Sequence, residues 1–154
     1  MAQVSGRAGR KNKRGKVIIQ TNSPDHPIIK QVVNNDFMGM YTEQIEERRK
    51  FAYPPFTRLI EITLSQKNQD DLDAVSPDLA IELKKRFGEE RVLGPEFPIV
   101  SKVNNFYIKN ILLKIEREKY SPKVKAMVMD AMAEFYHKGK EHARTRIKID
   151  VDPQ

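Results

Sequence analysis

The sequence contains no cysteine among its 154 residues. This absence excludes a disulfide-stabilised scaffold, a thiol nucleophile and a metal site built on cysteine. Long apolar runs are also missing, and none approaches the ~20 residues that a membrane-spanning helix needs. The first residues carry charge but no apolar stretch, so they do not resemble a secretory signal. Together these absences predict a cytoplasmic protein without a membrane span.

The composition is polar but sufficient for a core, with 39% hydrophobic and 32% charged residues and a net charge of +7. The charge is unevenly distributed along the chain. Residues 1–16 hold six basic and no acidic side chains, residues 17–100 hold 10 basic and 14 acidic, and residues 101–154 hold 12 basic and 7 acidic. Two basic ends favour anionic partners, although a solvated surface of mixed charge gives the same counts.

The residues before position 56 predict one strand and two helices. Residues 17–21 form a β-branched run, which favours a short buried strand. A helix with Pro27 in its first turn follows, and Asp36 is placed as the N-cap of a second helix. Because Pro54 and Pro55 cannot continue that helix, we expect a domain boundary there.

From Thr57 onward, strand and helix patterns alternate regularly. Residues 60–65 alternate between apolar and polar side chains, which is the period of a strand. Residues 70–87 carry apolar side chains at spacings of three and four, and Gly88 closes this predicted helix. Pro77 interrupts it, so either the helix kinks there or its main part begins there.

The end of the chain predicts a hairpin, a helix and a last strand. Residues 92–103 and 106–116 predict two strands joined at Asn104 and Asn105. Residues 121–139 predict a helix that Gly139 ends. Strict alternation over residues 143–152 predicts the last strand, with three basic side chains on one face: Arg144, Arg146 and Lys148.

The predicted order is therefore strand, helix, strand, strand, helix, strand. This order is typical of an α+β, ferredoxin-like βαββαβ sandwich. In such a sandwich two helices cover one face of a four-stranded antiparallel sheet. The other face is left for solvent or a partner.

The most informative motif is the string Gln-Val-Ser-Gly-Arg-Ala-Gly-Arg at residues 3–10. Arg7 and Arg10 each follow a glycine, so the backbone can approach a ligand while the guanidinium groups bind phosphate oxygens in a bidentate manner. This pattern fits a contact with a γ-phosphate, whereas an isolated basic tail could have a similar composition. With Gln3 at its offset, the string resembles the sixth conserved motif of superfamily 2 helicases.

Several strings together resemble the C-terminal portion of the PriA family, primosomal protein N′, a family of replication-restart DNA helicases. They are QVSGRAGR, GKVIIQT, DFMGMYTEQIEERRKFAYPPF, VLGP and IDVDP. In that family the end of the second RecA-like lobe precedes a ferredoxin-like C-terminal domain. The resemblance thus divides the chain into residues 1–22 at the end of the lobe, residues 23–55 as linker helices, and residues 56–154 as a DNA-binding domain.

The resemblance implies that the chain is a fragment of an ATP-dependent helicase. Its sequence has no GxxxxGK[ST] phosphate loop and no acidic motif of the Walker B kind. The resemblance implies that the full-length protein binds ATP and Mg²⁺ through parts that this sequence lacks. It also implies zinc elsewhere in the family and no cofactor in this chain. By resemblance, Arg10 is the arginine finger and Arg7 its companion on the γ-phosphate, while the residues that contact the nucleotide are Gln3, Gly6 and Gly9.

The resemblance also implies forked or branched DNA, single-stranded-DNA-binding protein and primosome proteins as partners. Basic residues around Tyr107 fit backbone contacts together with stacking on an unpaired base, although a solvated sheet face is an equal alternative. The candidate DNA-binding residues are Lys102, Asn104, Asn105, Tyr107, Lys109, Arg144, Arg146 and Lys148. A second possible function is a protein-docking or RNA-binding module of ribosomal-protein-like fold.

We predict that this polypeptide alone hydrolyses no ATP, with or without DNA. An arginine finger stabilises charge during phosphoryl transfer only where a second lobe holds the nucleotide and metal. Release of inorganic phosphate measures this. Turnover above background that Arg10→Ala abolishes would contradict the prediction.

Overall fold

The computed structural model describes residues 17–119 and 122–153. The residues assigned by resemblance to the nucleotide site lie outside the described residues: Gln3, Gly6, Arg7, Gly9 and Arg10. Their roles stay predictions. The chain divides between Glu47 and Arg48 into two compact units.

The described part of the first unit, which begins at residue 17, contains helical segments joined by turns. Helix α1 spans Pro27–Val33, with its proline in the first turn, and helix α2 spans Phe37–Lys50, continuing past the division into the second unit. The Asp36 carboxylate accepts a hydrogen bond from the backbone N–H of Gly39 at 2.8 Å. This contact confirms Asp36 as a helix cap, because it satisfies a donor that the first turn leaves unpaired.

The predicted strand at residues 17–21 is wrong. These residues form no strand, and Ile18 is 80% exposed. A β-branched run forms a strand only where a neighbouring strand completes its backbone hydrogen bonds. Within the described part of the chain, no such neighbour pairs with residues 17–21.

The second unit contains a five-stranded antiparallel sheet, which confirms the α+β class. Strand β1, which pairs with β4 on one side and β5 on the other, lies in the middle of the order β2–β4–β1–β5. The short strand β3 pairs with the start of β4. The strands are β1 (Thr57–Gln66), β2 (Val92–Glu96), β3 (Lys102–Val103), β4 (Phe106–Glu116) and β5 (Arg146–Val151).

Two long helices and a short one connect these strands. Asn68 caps the first long helix, and Gly88 ends it at a φ of 93°, a backbone angle that glycine tolerates. Pro77 lies inside this helix without dividing it. The helices are α3 (Gln69–Phe87), α4 (Pro122–His137) and α5 (Lys140–Arg144), with single 3₁₀ turns at Glu89–Arg91 and Arg117–Lys119.

The hydrophobic core lies between one face of the sheet and the two long helices. Every second residue of β1 and β4 points into it, because side chains alternate between the faces of a strand. From the sheet these are Ile60, Ile62, Leu64, Ile111, Leu113 and Ile115, and from the helices Leu72, Leu79, Leu83, Val128 and Phe135. Each fully buried side chain of this size contributes about 1.5–3 kcal/mol.

Two predicted boundaries in this unit are wrong. The stretch 92–103 is two strands rather than one, because its pairing with β4 shifts between Leu93 and Glu96 and then stops until Lys102. Arg144 belongs to the short helix α5, and β5 begins only at Arg146. The hairpin turn at Asn104 and Asn105 is confirmed.

The segment before β1 is attached to the sheet by Lys114 of β4. Its ammonium donates a hydrogen bond to the carbonyl of Phe51 at 2.8 Å and lies 3.9 Å from the centre of the Tyr53 ring. Burial lowers the pKa of Lys114. The hydroxyl of Thr57 donates a further hydrogen bond to the carbonyl of Ala52 at 2.7 Å. Residues 48–56 therefore belong to the second unit together with the sheet.

A buried carboxylate joins the two long helices. Glu82 of α3 has a side chain only 8% exposed, and its ion pairs with Lys85, Arg86 and Lys138 are 2.9–3.3 Å long. Hydrogen bonds from Lys85 and then Arg86 lower the pKa of Glu82 from 4.5 to about 2. Because Lys138 follows α4, this charge cluster connects the ends of both helices.

We predict that Glu82 makes the stability of this unit depend on acid pH. Since its pKa is lowered in the folded state, its contribution is fully present above pH 4.5 and is lost as the pH falls towards about 2. Glu82→Gln should therefore destabilise the protein at pH 7 and flatten the pH dependence in that window, as measured by urea unfolding. The exposed Glu89 provides the control variant, Glu89→Gln, and equal slopes for both variants would refute the prediction.

Candidate nucleic-acid interface

Among the described residues of the second unit, the two long helices both pack on the core side of the sheet, and the side chains of the opposite face stay partly exposed. Alternation along β1 and β4 places Thr63, Ser65, Ile108 and Asn110 on this open face, and all four are partly exposed. The predicted sheet face for a partner is therefore present. Its chemistry depends on which side chains the register directs to it.

The register directs Tyr107 and Lys109 away from the open face. Both share the face of Ile111, and Tyr107 packs against the core. Lys109, whose side chain is 12% exposed, forms an ion pair with Asp73 of α3 and lies 4.8 Å from the centre of the Phe97 ring. Its charge is thus already balanced, which leaves it poorly placed for a phosphate.

The hairpin between β3 and β4 carries three further predicted residues. Asn104 and Asn105 have φ angles of 48° and 65°, as a two-residue turn with left-handed backbone requires. Both are exposed. Lys102 donates a hydrogen bond from its ammonium to the Tyr107 hydroxyl at 3.3 Å and lies 4.5 Å from the centre of that ring. Among the described residues it forms no ion pair, so its charge stays unbalanced.

The face of β5 changes sign along its length. Arg146 lies opposite Ser65 and Lys148 opposite Thr63, near the hairpin, whereas Asp150 lies further along the strand. An ion pair of 3.6 Å joins Lys148 to Asp150. The positive charge of the open face is consequently concentrated at the hairpin end.

Arg144 reaches the same end from α5. Its guanidinium lies 3.4 Å from the carboxylate of Glu141, and its side chain is 70% exposed. Exposed ion pairs of this kind contribute about 0–1 kcal/mol, so a phosphate can compete for the arginine. The structure thus brings Arg144, Arg146 and Lys148 to the hairpin end of the open face. Lys102, the register partner of Tyr107, lies at the same end but on the helix side, as Lys109 does.

The sequence-based prediction missed Phe106, the first residue of β4. The Arg146 guanidinium carbon lies 4.3 Å from the centre of the Phe106 ring. Both residues line an open depression of about 330 Å³ at the hairpin end of the sheet. Its lining is completed by Gln66, Lys67, Asn68, Asp71 and Arg144.

Gln66 fixes the chain that leads from α5 into β5. It is 5% exposed, and its side-chain amide donates hydrogen bonds of 2.9 Å to the Glu141 carbonyl and the Thr145 hydroxyl. Thr145 in turn donates to the Glu141 carbonyl at 3.0 Å. These contacts position Arg144 and Arg146, which lie on either side of Thr145.

A histidine anchors α5 to α3. His142, whose side chain is 15% exposed, lies 2.8 Å from the carboxylate of Asp78 and packs its ring against Phe135 at 4.8 Å between centroids. The hydrogen bond to His142 is the main cause of the lowered pKa of Asp78, and Lys138 at 3.5 Å lowers that pKa further. Helix α5, which carries Arg144, is therefore held to α3 through Asp78 and to α4 through Phe135.

Residues 49–154 match the family described as the primosomal protein N C-terminal domain. The chain belongs to this family. It is 35% identical to replication restart protein PriA of Thermotoga maritima over 125 residues, covering 80% of this chain and 16% of the relative. It is 29% identical to that of Bacillus subtilis, covering 99% and 19%, and 32% identical to that of Treponema pallidum, covering 99% and 22%. The chain thus spans about a fifth of these relatives.

The resemblance to the PriA family is confirmed by these matches. The family match begins within α2 and includes every strand of the sheet and the whole candidate interface. In the described ranges, 17–119 and 122–153, no helix is long and apolar enough to cross a membrane. The same ranges contain no group of three or more acidic or histidine side chains that could hold a metal ion.

We predict that Gln66→Leu destabilises the second unit by about 1–3 kcal/mol, because it leaves buried polar partners without their donor. The start of β5 should also exchange its backbone amides faster. Ser65→Ala is the matched control on the open face, where the serine makes only a 3.5 Å hydrogen bond. Urea unfolding and amide hydrogen exchange give the two measurements, and equal stabilities of the two variants would show that Gln66 has no such role.

Proposed function

We propose that this chain acts in replication restart and binds forked or branched DNA at the hairpin end of the open sheet face. The observation that carries the proposal is the convergence of four cations from three parts of the chain at this end of the open face. They are Lys67, Arg144, Arg146 and Lys148, whereas Lys102 pairs with Tyr107 on the helix side of the same hairpin. Phosphate contacts from lysine and arginine supply most of the affinity for nucleic acid.

The distribution of acidic residues supports this location. Glu61 and Asp150 lie opposite each other towards the other end of β1 and β5, and Asp152 beyond them is paired with Arg58 at 2.9 Å. The sheet face is therefore polarised, which would place the DNA backbone near the hairpin and keep it from the acidic end. The net charge of the chain alone does not predict which end of the sheet the DNA backbone would contact.

The finer fold assignment is also part of the proposal. A connection through α3 joins β1 to β2, and a connection through α4 and α5 joins β4 to β5. Each connected pair has one strand of the other pair between its members. This interleaving supports the ferredoxin-like, split βαβ arrangement.

We further propose that the chain works as the C-terminal part of a larger ATP-dependent DNA helicase in the cytoplasm. In that protein Arg7 and Arg10 would contact the ATP γ-phosphate, and Gln3, Gly6 and Gly9 would line the nucleotide site, with Mg²⁺ and the first lobe supplied from elsewhere. Single-stranded-DNA-binding protein and primosome proteins are the proposed protein partners. The names of the relatives and the motif at residues 3–10 support these roles.

We predict that the chain binds forked DNA with a log–log salt slope of about −3, if each of the four cations contacts one phosphate. Arg146→Ala combined with Lys148→Ala should reduce the magnitude of the slope by about 1.5, because two phosphate contacts are lost. Fluorescence anisotropy across a salt series measures both quantities.

The control is Lys125→Ala, which removes an exposed cation from α4 on the opposite side of the sheet. It should leave the slope unchanged. A slope near zero, or an equal change in both variants, would contradict DNA binding at this face. Preferential binding of structured RNA would favour the alternative, an RNA-binding module.

A further inference from the structure

We propose that the depression beside Phe106 takes one unpaired nucleotide of the DNA, whose base stacks on the pair formed by Arg146 and Phe106. This inference rests on the proposed function and names the part of the DNA that the site selects. The guanidinium carbon of Arg146, 4.3 Å from the centre of the ring, shows that the two groups are already in contact without a ligand. A base can therefore add to a stack that is preformed.

Both members of the stack are held by the fold. Phe106 pairs with Val103 directly after the Asn104–Asn105 turn, so its direction is determined by the hairpin. Arg146 pairs with Ser65 in the sheet. A platform on two paired strands loses little conformational entropy on binding, which favours affinity.

The polar lining of the depression suits a base rather than a phosphate. The Asp71 carboxylate would repel a phosphate, but it can accept a hydrogen bond from the amino group of a base. The Asn68 side-chain oxygen is occupied by the backbone N–H of Asp70 at 3.0 Å, which leaves its amide N–H₂ as a donor. Donor and acceptor groups together match the edge of a base.

The cations around this lining can hold the flanking phosphates. Lys67 lines the depression and forms no ion pair among the described residues, and Arg144 is held only by an exposed pair with Glu141. A nucleotide in the depression would thus have its base against Phe106 and its phosphate at the edge. The faces of bases inside a duplex are covered by their neighbours, so the site would select a single-stranded arm at a fork.

Phe97, which directly follows β2, provides a matched comparison. It is 41% exposed and also lies beneath a cation, with Lys109 at 4.8 Å from its ring centre. That lysine is engaged by Asp73, and Phe97 is not among the residues that line the depression. Phe97→Leu therefore removes an aromatic ring with a cation partner but leaves the proposed nucleotide site intact.

The test compares two forks of the same sequence, one with a single-stranded arm and one with both arms duplex. A 2-aminopurine placed in the single-stranded arm reports stacking by its fluorescence. We expect the full chain to bind the first fork about tenfold more tightly and to quench the probe, since one stacked base is worth a factor of this order. An abasic nucleotide scanned along the arm should remove the preference at one position.

Phe106→Leu and Arg146→Lys should each abolish most of this preference and the quenching, while Phe97→Leu keeps both. Residue 146 is exposed, and Arg146→Lys keeps the positive charge but removes the planar guanidinium that stacks. This variant therefore tests stacking even if Phe106→Leu lowers the melting temperature. Salt-dependent binding of both forks with equal affinity, or an unchanged preference in Arg146→Lys, would overturn the nucleotide site and leave the proposed function standing. Failure to bind either fork would overturn the proposed function itself.

Discussion

The turn at Asn104 and Asn105 determines the chemistry of the whole sheet. Two residues with positive φ close the hairpin, so Phe106 must pair with Val103 and every later residue of β4 has its face assigned. Side chains at odd positions of β4 then enter the core with Ile111 and Leu113. One additional residue in the turn would exchange the two faces, placing a lysine and a tyrosine in solvent and a phenylalanine in the core.

This constraint explains how far the candidate site could be predicted. The buried Ile111, Leu113 and Ile115 and the two-residue turn are both visible in the sequence, and counting back by twos places Tyr107 and Lys109 on the helix side. The same count places Phe106 on the open face, so it could have been identified from the sequence as a candidate site residue. The ion pair between Lys109 and Asp73 could not be predicted, because it joins residues from separate elements through tertiary packing.

The elements that the sequence did not predict share a dependence on distant contacts. Alternation over residues 143–152 resembles one continuous strand, but Gln66 and His142 hold its first residues in a helical turn. The β-branched run at residues 17–21 has the composition of a strand without a pairing partner among the described residues. In contrast, the caps at Asp36, Asn68 and Gly88 depend on local bonds, and the sequence predicted two of them, Asp36 and Gly88.

The contact of Lys114 with Phe51 and Tyr53 has a consequence for how the chain can be shortened. Removing the residues before Thr57 would take away the carbonyl and the ring that cover this ammonium, and would expose the neighbouring surface of β4 to water. The smallest independently folding piece therefore begins upstream of the first strand, at the end of α2. A cut directly before β1 would also leave the buried hydroxyl of Thr57 without its acceptor, the carbonyl of Ala52.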